Sequence, residues 1–204
     1  MESEDIKSKL APAINYARQF IFTNGIRSFN IDRMAEDLHI SKKSIYKYCK
    51  TKDTFVELVL QTVYDELFAD VGAVAINRQS PVESFYLILS TLFSNIQQQS
   101  ARTLLDVKIF YPRVWESILE FRQQIIQRMV QCLQIAQESG QVRRDVDLDF
   151  IVDLVVKIVQ STFQPEIFIT FSYSITDLVR IFVDLIMNGL LEKGHTFDFS
   201  RMGR

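Results

Sequence analysis

The sequence predicts an all-α protein of about nine helices, with a small head at the N-terminus and a larger helical body behind it. Three observations carry that prediction. Six Gly and four Pro in 204 residues leave few places for the tight turns of a β architecture. Apolar residues recur at spacings of three and four, the repeat of one helix face. Most of these stripes begin behind a Ser, Thr, Asn or Asp and stop near a Gly or Pro. With 48% hydrophobic residues and 16 Phe, the chain can bury a substantial core.

The elements follow in order. Ile6, Leu10, Ala13, Ile14, Ala17, Phe20 and Ile21 form one stripe, which predicts a first helix from Ile6 to Thr23, ended by Asn24-Gly25. Asn30 stands at an N-cap position, with Ile31, Met34, Ala35 and Leu38 as a short apolar face behind it. Asp32 and Glu36 suit the early part of that helix through its dipole. His39-Ile40 is the turn. Ser41 caps a third helix, with Ile45 and Cys49 inward. Thr51 caps a fourth, opening at Lys52 and carrying Phe55, Val59, Val63 and Leu67.

Residues 72–80 read as a helix end and connection. Ser80 and Pro81 open a fifth helix that runs to about Gln98. A sixth is expected from Ala101 to Phe110, where Pro112 interrupts. A seventh runs to Ser139 and stops at Gly140. Asp147 caps an eighth, which ends at Pro165, and Ser174 caps a ninth, which runs to Lys193 before Gly194. Asp106 and Lys108 in the sixth helix are two apart and share no face, and one or both are expected to be solvated.

The net charge of -2 hides an asymmetry. Residues 1–52 hold ten Lys/Arg against six Asp/Glu, and residues 53–204 hold thirteen against nineteen. A basic head on an acidic body suggests that the head meets a polyanion. Cys49 and Cys132 stand far apart with no metal or redox spacing, and the two His, His39 and His195, sit in a turn and after the last helix. No nucleophile elbow, phosphate loop or carboxylate pair appears, so neither catalysis nor a cofactor or metal is expected. The opening MESEDIKSKL is too polar for a secretory signal, and the longest stretch without charge, residues 84–101, is interrupted by Ser, Thr, Asn and Gln. A cytoplasmic protein without membrane contact is the expectation.

Two short capped helices joined by a tight turn, the second one basic, describe a helix-turn-helix over residues 30–49. Ser41 to Lys52 holds five lysines in twelve residues and no acid: Lys42, Lys43, Lys47, Lys50 and Lys52. Lysines neutralise phosphates, and the interleaved Tyr46 and Tyr48 can donate to phosphate or pack on sugar and thymine methyls. Ser44 is short enough to let the helix approach base edges.

At these residues the chain resembles the N-terminal domain of the TetR (tetracycline-repressor-like) transcriptional regulators. The resemblance runs from Ile14 to Phe55 and rests on Phe20, Gly25, Asn30, Met34-Ala35, Ile40-Ser41, Ile45-Tyr46, Tyr48 and Lys52-Asp53, in the family's order and spacing. Three departures stand out. His39 replaces the usual turn Gly, at a cost of roughly 1 kcal/mol if its backbone is left-handed. Cys49 replaces a Phe and makes a smaller plug. Lys43-Ser44 replaces the frequent Gly-Thr and should change which sequence is read. The resemblance implies base contacts from Lys42, Lys43, Ser44 and Tyr46, and mainly phosphate contacts from Asn30, Lys47, Tyr48 and Lys52. It implies a DNA-binding domain over 7–67 and a regulatory, ligand-binding and dimerisation domain over 68–204.

The eighth and ninth helices are apolar on more than one face, which calls for a second packing surface. A homodimer through Val155, Val159, Leu178, Phe182 and Leu185 would supply it, and two heads on a twofold axis would read a palindromic operator. Tyr86, Phe93, Phe110, Tyr111, Trp115, Gln160 and Phe163 are candidates for a small-molecule chamber, whose existence the resemblance implies. The resemblance further implies repression, relieved when an apolar effector tilts the fourth helix. A ligand-independent regulator and a non-specific DNA compactor are the competing readings.

Overall fold

Capping residues and prolines set where the helices form. The computed structural model describes residues 2–96, 100–162, 164–171 and 174–191. Among them stand eleven helices and no strand. The helices are α1 (Glu2–Lys9), α2 (Ala11–Asn24), α3 (Ile31–Asp37), α4 (Lys42–Tyr46), α5 (Lys52–Ala73), α6 (Pro81–Ile96), α7 (Ala101–Phe110), α8 (Pro112–Glu138), α9 (Leu148–Thr162), α10 (Pro165–Phe171) and α11 (Ile175–Leu190). An isolated antiparallel bridge joins Val142 to Leu191.

Two helices exceed the expected nine, each for a reason centred on proline. The helix expected over 6–23 divides at Leu10, and Pro12 sits in the first turn of α2. Proline lacks an N–H, so it opens a helix at little cost. The apolar stripe continues across the division, with Leu10, Ala13, Ile14, Ala17 and Ile21 all buried. Pro165, expected as an end, is also a start, because it opens α10 in the same way. The expected ends at Gln98 and Lys193 lie outside the described residues.

Packing divides the chain into two compact units, Met1–Leu67 with Gln98–Ile118, and Phe68–Gln97 with Leu119–Arg204. The first is built around aromatic rings. Phe29 meets Phe20 at 5.9 Å between centroids and Phe55 at 6.0 Å. Phe55, Val59 and Leu67 of α5 are buried with them. Two ion pairs tie the N-terminal helices to α5, Lys7 to Asp65 at 2.9 Å and Arg18 to Glu66 at 2.5 Å.

In the same unit α7 treats its two charged residues differently: Lys108 is half-buried, whereas Asp106 is 5% exposed and its Oδ1 accepts from Arg27 Nε at 3.1 Å. A carboxylate so buried needs such a partner. Arg27 also lies over the Phe110 ring at 5.2 Å, while Lys108 lies over Trp115 at 5.8 Å. Tyr111, after α7, donates its hydroxyl to Asp53 of α5 at 3.5 Å. Burial first, and then the Asp53 carboxylate, pushes that phenol up to about 12.

The second unit stacks Phe68 on Phe121 at 3.9 Å. Arg128 of α8 donates to the Gly72 carbonyl at 3.1 Å and to that of Val74, closing the end of α5. The α8 stop is as expected. Gly140 has φ +78, and the N–H groups of Gly140 and Gln141 return to Gln137 and Ala136. Asp147 and Ser174 cap α9 and α11 through Phe150 N and Asp177 N.

Candidate nucleic-acid interface

The candidate site is built from α3, its turn and α4, all within the first unit. Asn30 Oδ1 accepts from the N–H groups of Asp32 at 2.7 Å and Arg33 at 3.2 Å, which starts α3. Ile31, Met34 and Ala35 turn inward. The helix then closes on itself. His39 N–H returns to Glu36 and Ile40 N–H to Ala35, with His39 in the left-handed region at φ +52. Those two bonds are the Schellman pattern, which normally takes Gly at this position. They hold the turn that His39 strains.

Ser41 Oγ accepts from Lys43 N–H at 3.2 Å and starts α4. Five residues cannot hold a helix alone. Ile45 is fully buried beneath it and Cys49 nearly so, and these two anchor it. Burial also pushes the Cys49 thiol up, so it stays protonated at neutral pH. With Ile45 inward, Lys42, Lys43, Ser44 and Lys47 are exposed and Tyr46 is 39% exposed. Ser41, Lys43, Ser44, Tyr46 and Lys47 line an open concavity on this surface.

Around this face the positive charges are placed individually. Lys47 lies over the half-buried Tyr48 ring at 5.5 Å and Lys9 at 5.9 Å. Thr51 and Thr54 cap α5 reciprocally, each hydroxyl accepting the other's backbone N–H, at 3.1 and 3.0 Å. Lys52 is half-buried in the first turn of α5, at the end of the helix where the dipole favours an anion. Lys42 Nζ pairs with Asp32 Oδ1 at 3.0 Å. In the sequence Asp32 has only the signature of a helix-dipole residue, and Lys9 stands far from the basic segment. Ten residues separate Asp32 from Lys42, and only the turn geometry brings them together.

The residues proposed for the body fall in different places. Tyr86 and Phe93 are buried in the second unit, where Gln160 is exposed. Phe110, Tyr111 and Trp115 belong to the first unit. Phe110 is 55% exposed, Tyr111 is buried and Trp115 half-buried. Phe163 lies outside the described residues. Val155, Val159, Leu178 and Phe182 are half-buried, and Leu185 is 70% exposed. Phe150 and Leu154 of α9 and Ile181 of α11 are exposed too, and were not among the expected interface residues. Among the described residues no helix is long and apolar enough to cross a membrane, and no group of His, Cys, Asp and Glu is gathered to hold a metal.

No protein-family model matches the sequence, and no curated protein matches it. Solved structures do match the fold. The regulatory protein TetR from Rhodobacter sphaeroides aligns at 12% identity over 90% of this chain and 99% of its own, with a TM-score of 0.60. The TetR family transcriptional regulator PfmR from Thermus thermophilus aligns at 16% identity over 88% and 98%, with a TM-score of 0.57. A putative TetR family regulator from Vibrio parahaemolyticus aligns at 16% identity over 90% and 99%, with a TM-score of 0.53. The chain has the fold of the TetR-family transcriptional regulators, and it is all-α as its sequence predicts.

Proposed function

We propose that the protein is a homodimeric, sequence-specific DNA-binding regulator, a repressor released from a palindromic operator by a small apolar effector. It is read as a cytoplasmic protein without enzymatic activity. One observation carries the reading: a capped helix pair aims Lys42, Lys43, Ser44, Tyr46 and Lys47 outward from a short helix anchored by Ile45. In this reading residues 7–67 bind DNA and 68–204 regulate. Lys42, Lys43, Ser44 and Tyr46 face bases, and Asn30, Lys47, Tyr48 and Lys52 face phosphates.

The dimer is supported by α9 and α11. Phe150 with Leu154, and Ile181 with Leu185, are exposed pairs four residues apart, one apolar stripe on each helix. On α11 the opposite face, Val183, Met187 and Leu190, is buried. A helix apolar on both sides needs a second surface to cover it. The test is selection from a random duplex pool by the purified protein. An enriched inverted repeat supports the reading, and a pool that stays random overturns it.

A further inference from the structure

We infer that Asp32 is a specificity-determining residue of the reading surface, acting by withholding Lys42 from the DNA backbone. The inference rests on the DNA-binding reading above. Its ground is the Lys42–Asp32 pair at 3.0 Å, on side chains that are both about half exposed, 47% and 57%. The segment from Ser41 to Lys52 has no acid of its own, so Asp32 brings a carboxylate to an otherwise cationic face. Its position is set by the Asn30 cap, which holds Asp32 N–H at 2.7 Å.

A carboxylate beside a reading lysine changes what that lysine can do. Paired, Lys42 carries no net charge to a phosphate and releases no counterion. To neutralise a phosphate it must leave Asp32, and the carboxylate then faces the backbone as a like charge. A base edge makes no such demand. The ammonium has three donors, so one N–H can stay on Asp32 while another reaches guanine O6 or N7. Asp32 therefore lowers affinity for arbitrary DNA more than for a site with guanine opposite Lys42.

The experiment compares wild type, Asp32→Asn, Lys42→Ala and the double variant by fluorescence anisotropy. The probes are a random-sequence duplex and the duplex that wild type selects from a random pool. Asp32→Asn should bind the random duplex about five- to tenfold more tightly and steepen its log–log salt slope by about one, the change for one added phosphate contact. The selected duplex should gain less, so discrimination falls. In the Lys42→Ala background the Asp32→Asn gain should vanish. An unchanged salt slope with Asp32→Asn, or a gain that persists without Lys42, overturns the inference while leaving the DNA-binding reading intact. Wild type that binds no duplex refutes that reading and this inference together. Asparagine keeps the shape of the side chain and the Asn30 cap bonds to backbone, so a melting temperature close to wild type is expected for the variant.

Discussion

Replacing Leu185 with Glu should separate the proposed dimer without unfolding its subunits. Leu185 is 70% exposed on α11, and Ile181, four residues before it, is 52% exposed. Burying a whole leucine is worth about 1.5–3 kcal/mol, and a twofold interface uses each residue twice. Scaled to the exposed fraction, the two leucines supply roughly 2–4 kcal/mol. Two carboxylates near the axis add a desolvation cost. A loss of about 3 kcal/mol weakens association ~150-fold. Sedimentation velocity from nanomolar to about 100 µM, a range that brackets ordinary dimer affinities, reads this directly. The folded subunit should hardly notice, since exposed substitutions cost within about ±0.5 kcal/mol. Met187→Ala, fully buried on the opposite face, should instead lower the melting temperature through a cavity worth about 2–5 kcal/mol. If Leu185→Glu associates as wild type does, the outer stripe is not the interface and the reasoning fails.

Other predictions follow from the first unit. Lys52→Ala should weaken binding to every duplex and lower the log–log salt slope by about one; an unchanged slope removes Lys52 from the phosphate contacts. Arg27→Met should destabilise the fold by about 1–3 kcal/mol in urea titration, because the buried Asp106 carboxyl loses its donor. Asp106→Asn in that background should recover part of the loss. Tyr111 has its phenol raised from 10 to about 12, so the neutral form is favoured by folding. That stability is full below pH 10 and is lost as pH rises towards 12. Tyr111→Phe should flatten the decline in urea stability across that window, and a parallel decline in both proteins would show that Tyr111 does not drive it.

Local features were legible in the sequence and long-range ones were not. Asn30, Ser41 and Thr51 act on N–H groups two or three residues away, so their capping roles can be read from order alone. The same holds for Ile45 and Cys49 as the inward pair of α4. Pro12 was obscured because the apolar stripe continues across the break at Leu10. Pro165 is compatible with both a helix end and a helix start, and periodicity does not choose between them. The charged neighbour of Asp106 in sequence is Lys108, two residues away, while its donor is Arg27, 79 residues away. The width of the apolar faces of α9 and α11 implied a second surface. Which residues point outward depends on how each helix is rotated on its own unit, and that placed Phe150, Leu154 and Ile181 outside.

In the proposed dimer two copies of the α3–α4 pair read DNA together. Hydroxyl-radical footprinting of the wild-type protein on its selected duplex tests it most directly. Two protected half-sites related by a twofold axis are expected, spaced one helical turn of about 10 bp apart or a multiple of it. Both should disappear together when Lys42, Lys43 and Lys47 are replaced by alanine. A single half-site, protection spread evenly along the duplex, or a footprint that survives the triple replacement would contradict it.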